Sequence, residues 1–140
     1  MVAGIAVLAA NAAAAGWGAV AWLRRDARMS IVFWPLLRVA QATVVVEAIV
    51  GFILLARGAS APDDLHVAYG VAPLVIALVS EAMRASVAQR ELDEVDDVEA
   101  LDRSEQVAIA RRVALGEVGV MTVGTLLIVT LALRAYQTGG

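Results

Sequence analysis

The sequence predicts an all-α protein, a four-helix transmembrane bundle with a cytoplasmic helical hairpin extension between helices three and four. Three observations lead there. The chain has 140 residues and 61% are hydrophobic, against about 45–50% in soluble domains; the mean hydropathy is +0.78. The excess is gathered into four apolar segments of roughly 18–25 residues, the length that a hydrocarbon core of about 30 Å requires. Arginines collect at alternate ends of these segments. Four crossings take up most of the chain, so a single integral membrane domain over residues 1–140 is expected, with no room for a soluble catalytic module.

Helix one is expected over Val2–Leu23. Leu8-Ala9-Ala10-Asn11-Ala12 resembles a cleavage region, but no basic residue precedes the apolar run and Arg24, Arg25 and Arg28 follow it. That is the reverse of a signal peptide, so a retained helix is expected. Ala12-x-x-x-Gly16 and Ala14-x-x-x-Gly18 are expected to put small residues on one face, where helices in lipid can approach closely. Packing inside the bundle is the ordinary use of such a stripe, and a dimer seam is the alternative.

Helix two is expected over residues 31–56, with Ser30 as N-cap and Pro35 in its first turns, where proline is best tolerated. Gly58, Ser60 and Pro62 mark a loop, and Pro62-Asp63-Asp64 puts acids at the positive end of helix three. Helix three is expected to cross over 65–84 and to continue as a polar helix through Arg90. In Glu91–Glu99, Leu92, Val95 and Val98 form a narrow apolar stripe on an acidic helix. Asp102-Arg103-Ser104-Glu105 has the pattern of a capping box. It starts a fourth helix that crosses over 113–134, leaving 85–112 as a protruding hairpin with its turn near Ala100–Asp102.

Arg24, Arg25, Arg28, Arg84, Arg90, Arg103, Arg111 and Arg112 fall on one side, and Arg57 and Arg134 on the other. The positive-inside rule puts the first group in the cytoplasm and both termini outside. All basic residues are arginine and there is no cysteine. The arginine-only usage with abundant Ala, Val and Gly suggests a high-GC bacterial genome, hence a bacterial cytoplasmic membrane. Absent cysteine excludes disulfides and thiolate metal sites.

Ionisable residues at membrane depth are functional candidates. Arg38, Glu81 and Glu117 share one depth, and the expectation is that Arg38 pairs with Glu81 or Glu117 to dock the helices. The alternative is a polar cavity for an anionic headgroup, or a proton path. Glu47 lies nearer the middle with no arginine at its level, so a hydrogen bond to Asn11, Thr122 or Thr125 is expected, with a proton carrier as the alternative. His66, Tyr69, Gly70 and Pro73 share a helical face. His66 could supply one axial haem ligand with Gly70 leaving room for the ring, but an interfacial histidine is the simpler reading. The acids from Glu91 to Glu99 lack the glycine and spacing of an EF-hand loop, so a solvated acidic face is expected and no metal. No HExxH, phosphate-binding glycine loop or Ser–His–Asp set is present.

LHVAYGVAPLVIALVSEAMRASVAQREL (Leu65–Leu92) and EQVAIARRVALGEVGVMTVGTLLIVTLALRA (Glu105–Ala135) resemble small four-helix actinobacterial membrane proteins of unknown function. The resemblance covers about the C-terminal half and carries no activity or site residues. The leading expectation is a non-enzymatic accessory or scaffold subunit of a membrane complex. The alternatives are a ligand-binding membrane protein (haem, quinone or lipid) and a small oligomeric transporter. The bilayer and protein partners are expected, and nucleic acid is not.

Overall fold

The computed structural model describes residues 2–59, 64–93, 95 and 97–138. Among them the chain is all-helical: α1 (Val2–Leu23), a 3-10 turn (Ala27–Met29), α2 (Ser30–Ala56), α3 (Asp64–Asp93) and α4 (Arg103–Thr138). All four α-helices are long and apolar enough to cross a membrane, the architecture of a multi-pass membrane protein. In lipid a spanning segment must satisfy its backbone internally, which is why these apolar runs become unbroken helices. Large hydrophobics such as Val39, Val46, Phe52, Leu78 and Val123 stay exposed on the bundle surface, as lipid contact requires.

The packing centre is α4, which lies between α1 and α3, while α2 packs chiefly on α1 and more lightly on α3. The α1 face that enters the bundle is Val7, Asn11, Ala14, Ala15, Gly18 and Ala21, spaced by three and four. Gly18 marks the closest approach: a Cβ there would collide with Thr122 of α4 and come within 2.6 Å of the Phe33 ring of α2. Ala12 and Gly16 lie on a different face and are exposed, with open space beside Gly16. The expectation of one small-residue face is thereby corrected. The two motifs are offset by two residues, about 200° around a helix, so one points in and the other out.

The core divides in two along the axis. Ala21, Phe33, Leu37, Val118 and Met121 fill the end nearer the arginines, with Met29 and Trp34 against them. Val7, Val44 and Ile128 fill the other end with Leu74, Ile76 and Ala77.

Helix ends show where local chemistry departs from expectation. Ser30 does not cap α2: it already belongs to the helix, and its hydroxyl donates to the Ala27 carbonyl at 2.6 Å. The capping carboxylate is Asp26, which accepts from the Arg28 N–H at 2.9 Å and opens the 3-10 turn. At the end of α1, Asp26 N–H bonds to Ala21 O and Arg25 N–H to Trp22 O, both at 3.1 Å, with Arg25 at φ 51°. This is a Schellman turn with arginine in the left-handed position that glycine usually holds, at a cost of roughly 1–2 kcal/mol. The end of α2 makes the same pair of bonds, Ala59 N–H to Leu54 O and Gly58 N–H to Leu55 O, with Gly58 at φ 85°.

At 30 and 36 residues, α3 and α4 run about 45 and 54 Å, well beyond a hydrocarbon core of about 30 Å. Their overhang forms the helical hairpin. Arg112 Nε of α4 pairs with Glu91 Oε2 of α3 at 2.8 Å, and Gly116 lets Val87 approach. The acidic segment departs from expectation: α3 stops at Asp93, and residues 95 and 97–99 are turn and coil rather than helix, while the turn expected near Ala100–Asp102 is present. Close-spaced acids repel at i,i+3 and i,i+4 and favour turns over helix interior. The Gln106 amide secures this turn by donating to Val98 O at 3.0 Å and Leu101 O at 3.2 Å. The capping box forms reciprocally, Glu105 N–H to Asp102 Oδ1 at 2.9 Å and Asp102 N–H to Glu105 Oε2 at 3.2 Å. Pro62 and Asp63 lie outside the described residues.

Candidate functional site

Near the arginine-rich end, polar side chains of α2, α3 and α4 meet around Glu81. Arg38 Nη1 donates to Glu81 Oε1 at 2.7 Å and to Gln41 Oε1 at 2.6 Å. The Gln41 amide donates to the same Glu81 oxygen at 2.8 Å. Arg84 Nε donates to Glu81 Oε2 at 2.8 Å, and Arg84 Nη1 reaches Glu117 Oε1 at 3.2 Å. The Arg84 guanidinium stands 5.3 Å from the centre of the Trp34 ring, whose edge meets Phe33. The chain Arg38–Glu81–Arg84–Glu117 therefore alternates in sign and sums to zero.

Helical spacing positions these groups. Arg38 and Gln41 are one turn apart on α2, and Glu81 and Arg84 one turn apart on α3, so each pair presents one face. Arg38 sits one residue beyond the buried Leu37, at the margin of the α2 stripe of Phe33, Leu37, Ala40, Val44 and Ala48. It remains 56% exposed, while Glu81, Arg84 and Glu117 are 27%, 29% and 18% exposed. The arrangement is a clamp: it compensates charges that would each cost a few kcal/mol alone at membrane depth, and it joins three helices that have little apolar reason to associate in lipid. The sequence reading drew attention to Arg38, Glu81 and Glu117. It missed Arg84, which carries the link between the two acids, and Gln41. Their signal was the i,i+3 spacing to Glu81 and Arg38.

Glu47 lies elsewhere. Its half-buried carboxylate faces α1 at Gly4, where an added Cβ would sit 3.4 Å from Oε1. Asn11 donates instead to Val7 O at 2.9 Å and Thr125 to Thr122 O at 2.9 Å. Asn11 is about 10 Å up the helix from Gly4, so the level expected for Glu47 was too deep. His66 falls in the first turn of α3, and its side chain lies outside the described residues. On the same face Tyr69 is half-buried, Gly70 exposed and Pro73 buried. Among the described residues no three His, Cys, Asp or Glu side chains group as metal ligands. No family model, curated protein or solved structure matches this chain.

Proposed function

We propose that the chain is a non-enzymatic subunit of a bacterial cytoplasmic membrane complex, anchored by four crossings, with both termini outside and the α3–α4 hairpin in the cytoplasm. One observation carries this reading: the charged side chains around Glu81 neutralise one another and tie α2, α3 and α4 together. Those groups thus serve helix docking, the role an accessory or scaffold protein needs. The hairpin, braced by Arg112–Glu91, then presents a surface outside the bilayer. Val107 and Leu92 are exposed on it.

Cross-linking and mass spectrometry after mild-detergent purification test the role. A stoichiometric partner cross-linked to residues 85–112, and lost when they are replaced by a short flexible linker, is expected. A chain that purifies alone with a Soret band, or that conducts solute flux in liposomes, would overturn the subunit reading. Reporter fusions test the orientation: a phosphatase fused after Gly140 should be active, and an inactive one beside an active cytoplasmic reporter would reverse the topology.

A further inference from the structure

The turn between α1 and α2 contains an electrostatic feature separate from the clamp around Glu81. Arg24, Arg25 and Arg28 of the turn and Arg111 of α4 surround an open cavity of about 700 Å³, with Asp26 as the one acid lining it. Four guanidinium groups against one carboxylate leave an excess of three positive charges. The Asp26 carboxylate is already engaged by the Arg28 N–H. None of the four arginines forms an ion pair with a described residue, whereas Arg38, Arg84 and Arg112 all do. A neighbouring cavity of about 470 Å³ shares Arg25 with it, but there Arg112 is paired with Glu91, leaving an excess of one positive charge.

Two details show that the arginine cavity is built. Arg25 is the one non-glycine residue with positive φ among those described, in a turn where glycine would be the relaxed choice. Its carbonyl then accepts a bond from Arg111 Nη2 at 2.7 Å, which fixes the turn against α4 and sets the two side chains on one cavity. A strained position held by its surroundings is a pointer to function. Here the residue placed under strain supplies a charge.

The cavity lies at the end of the bundle where α1 turns into α2; Trp17, whose indole donates to Met29 O at 2.9 Å, and the exposed Trp22, which lines the neighbouring cavity, belong to the same end. Tryptophans gather at the headgroup level of a bilayer. Guanidinium groups recognise phosphate through paired, charge-assisted hydrogen bonds, and basic pockets between transmembrane helices hold anionic headgroups.

We propose that Arg24, Arg25, Arg28 and Arg111 form a binding site for the phosphate of an anionic phospholipid headgroup. The assignment rests on the membrane-spanning reading, and a free phosphate shares the chemistry. The test uses the full chain in neutral phosphatidylcholine vesicles, where retention against alkaline extraction checks the membrane reading by itself. Retention of phosphatidylglycerol is then measured by native mass spectrometry, with inorganic phosphate as competitor.

Arg24→Gln and Arg28→Gln should each weaken phosphatidylglycerol retention roughly fivefold, the equivalent of about 1 kcal/mol per arginine near a charged surface. Arg25→Gly is the decisive variant. It should weaken retention by a similar factor while leaving thermal stability in neutral lipid equal or higher, because glycine relaxes the turn. Unchanged retention in Arg24→Gln and Arg25→Gly would overturn the site. Displacement of the lipid by millimolar inorganic phosphate would overturn the lipid assignment. Loss of the chain from neutral vesicles on alkaline extraction would overturn the membrane reading, and the lipid assignment with it.

Discussion

The seam between α1 and α4 and the seam between α2 and α3 solve one problem in different ways. Inside a bilayer, lipid tails are as apolar as leucine, so apolar contact alone gives helices little reason to associate. Across α1 and α4 the answer is close approach: Gly18 admits Thr122 and Phe33, and Gly119 admits the Trp22 indole, which stands 3.1 Å from where a Cβ would be. Across α2 and α3 the packing is lighter, and the Arg38–Gln41–Glu81–Arg84 bonds supply the association. The first seam depends on shape and should respond to added volume. The second depends on charge and should respond to lost partners.

The largest effect is expected at Gly18. Valine there would press on Phe33 and Thr122, both fully or nearly fully buried. Overpacking of a close-packed contact typically costs about 1–3 kcal/mol, occasionally more; with α1, α2 and α4 all displaced, the upper end of about 3 kcal/mol is expected. Denaturant unfolding in detergent measures it. A Gly18→Val variant as stable as the parent would mean that α1 does not sit where its small residues direct it.

Next comes Glu81, on which Arg38, Gln41 and Arg84 converge. Glu81→Ala should destabilise by about 1–2 kcal/mol, since interhelical polar contacts in membranes reach about 1.7 kcal/mol at most singly and the group is partly exposed. Arg38→Ala should cost less, because Arg38 is the more exposed partner at 56%. Combining the two should lose less than the sum. Strict additivity would show that the pair carries no coupling, and the α2–α3 seam would then need another explanation.

Both seams were only partly legible in the sequence. The crossings were plain, because an apolar run either spans a bilayer or does not; α1 ends at Leu23 and α2 at Ala56, where arginine follows in each case. Depth was legible for Arg38, which belongs to the layer of Glu81 as expected, but not for Glu47, which lies at the level of Gly4 rather than of Asn11. Azimuth was not. Which arginine of that layer meets which acid depends on how each helix is rotated about its axis, and Arg84 rather than Arg38 reaches Glu117. The same ignorance merged Ala12–Gly16 with Ala14–Gly18. At the hairpin tip, spacing three among Leu92, Val95 and Val98 suggested a helix, but a narrow apolar stripe does not outweigh so many neighbouring acids, and the chain turns instead.

Smaller and opposite effects should follow from alanine at two other glycines. Gly16 faces open space, so Gly16→Ala should stabilise α1 by up to about 1 kcal/mol through helix propensity. If the outer small-residue face instead seats a second copy, the same change should lower the oligomer fraction in cross-linking. Gly58 holds φ 85° at the end of α2, so Gly58→Ala should destabilise by about 1 kcal/mol. Thermal unfolding of the pair measures both signs side by side. Equal shifts in one direction would contradict the assignment of one glycine to open surface and the other to a left-handed turn.

The smallest effect should appear at the hairpin tip, farthest from either seam. The Asp102 carboxylate accepts from the Ser104 hydroxyl at 2.7 Å and from the Glu105 N–H at 2.9 Å. The Ser104 hydroxyl first, and the Glu105 N–H after it, hold this carboxyl below its ordinary range, because both bonds favour the ionised acceptor. A carboxyl whose folded value is depressed binds its proton less readily folded than unfolded. Its contribution is therefore present in full above the unfolded value of about 3.9, and it is lost as the pH falls through the depressed folded value. Acidification should loosen the first turn of α4 while the apolar seam of α1 and α4, which titrates nothing at Gly18, stays intact. Nuclear magnetic resonance can follow the Glu105 amide and the Asp102 carboxyl together. The two signals should titrate with one midpoint below about 3.9. Asp102→Ser, which keeps an acceptor without an ionisable group, should abolish the titration at the Glu105 amide. A Glu105 amide that still titrates in Asp102→Ser would assign the pH response to another acid of the hairpin and remove Asp102 from the role of cap.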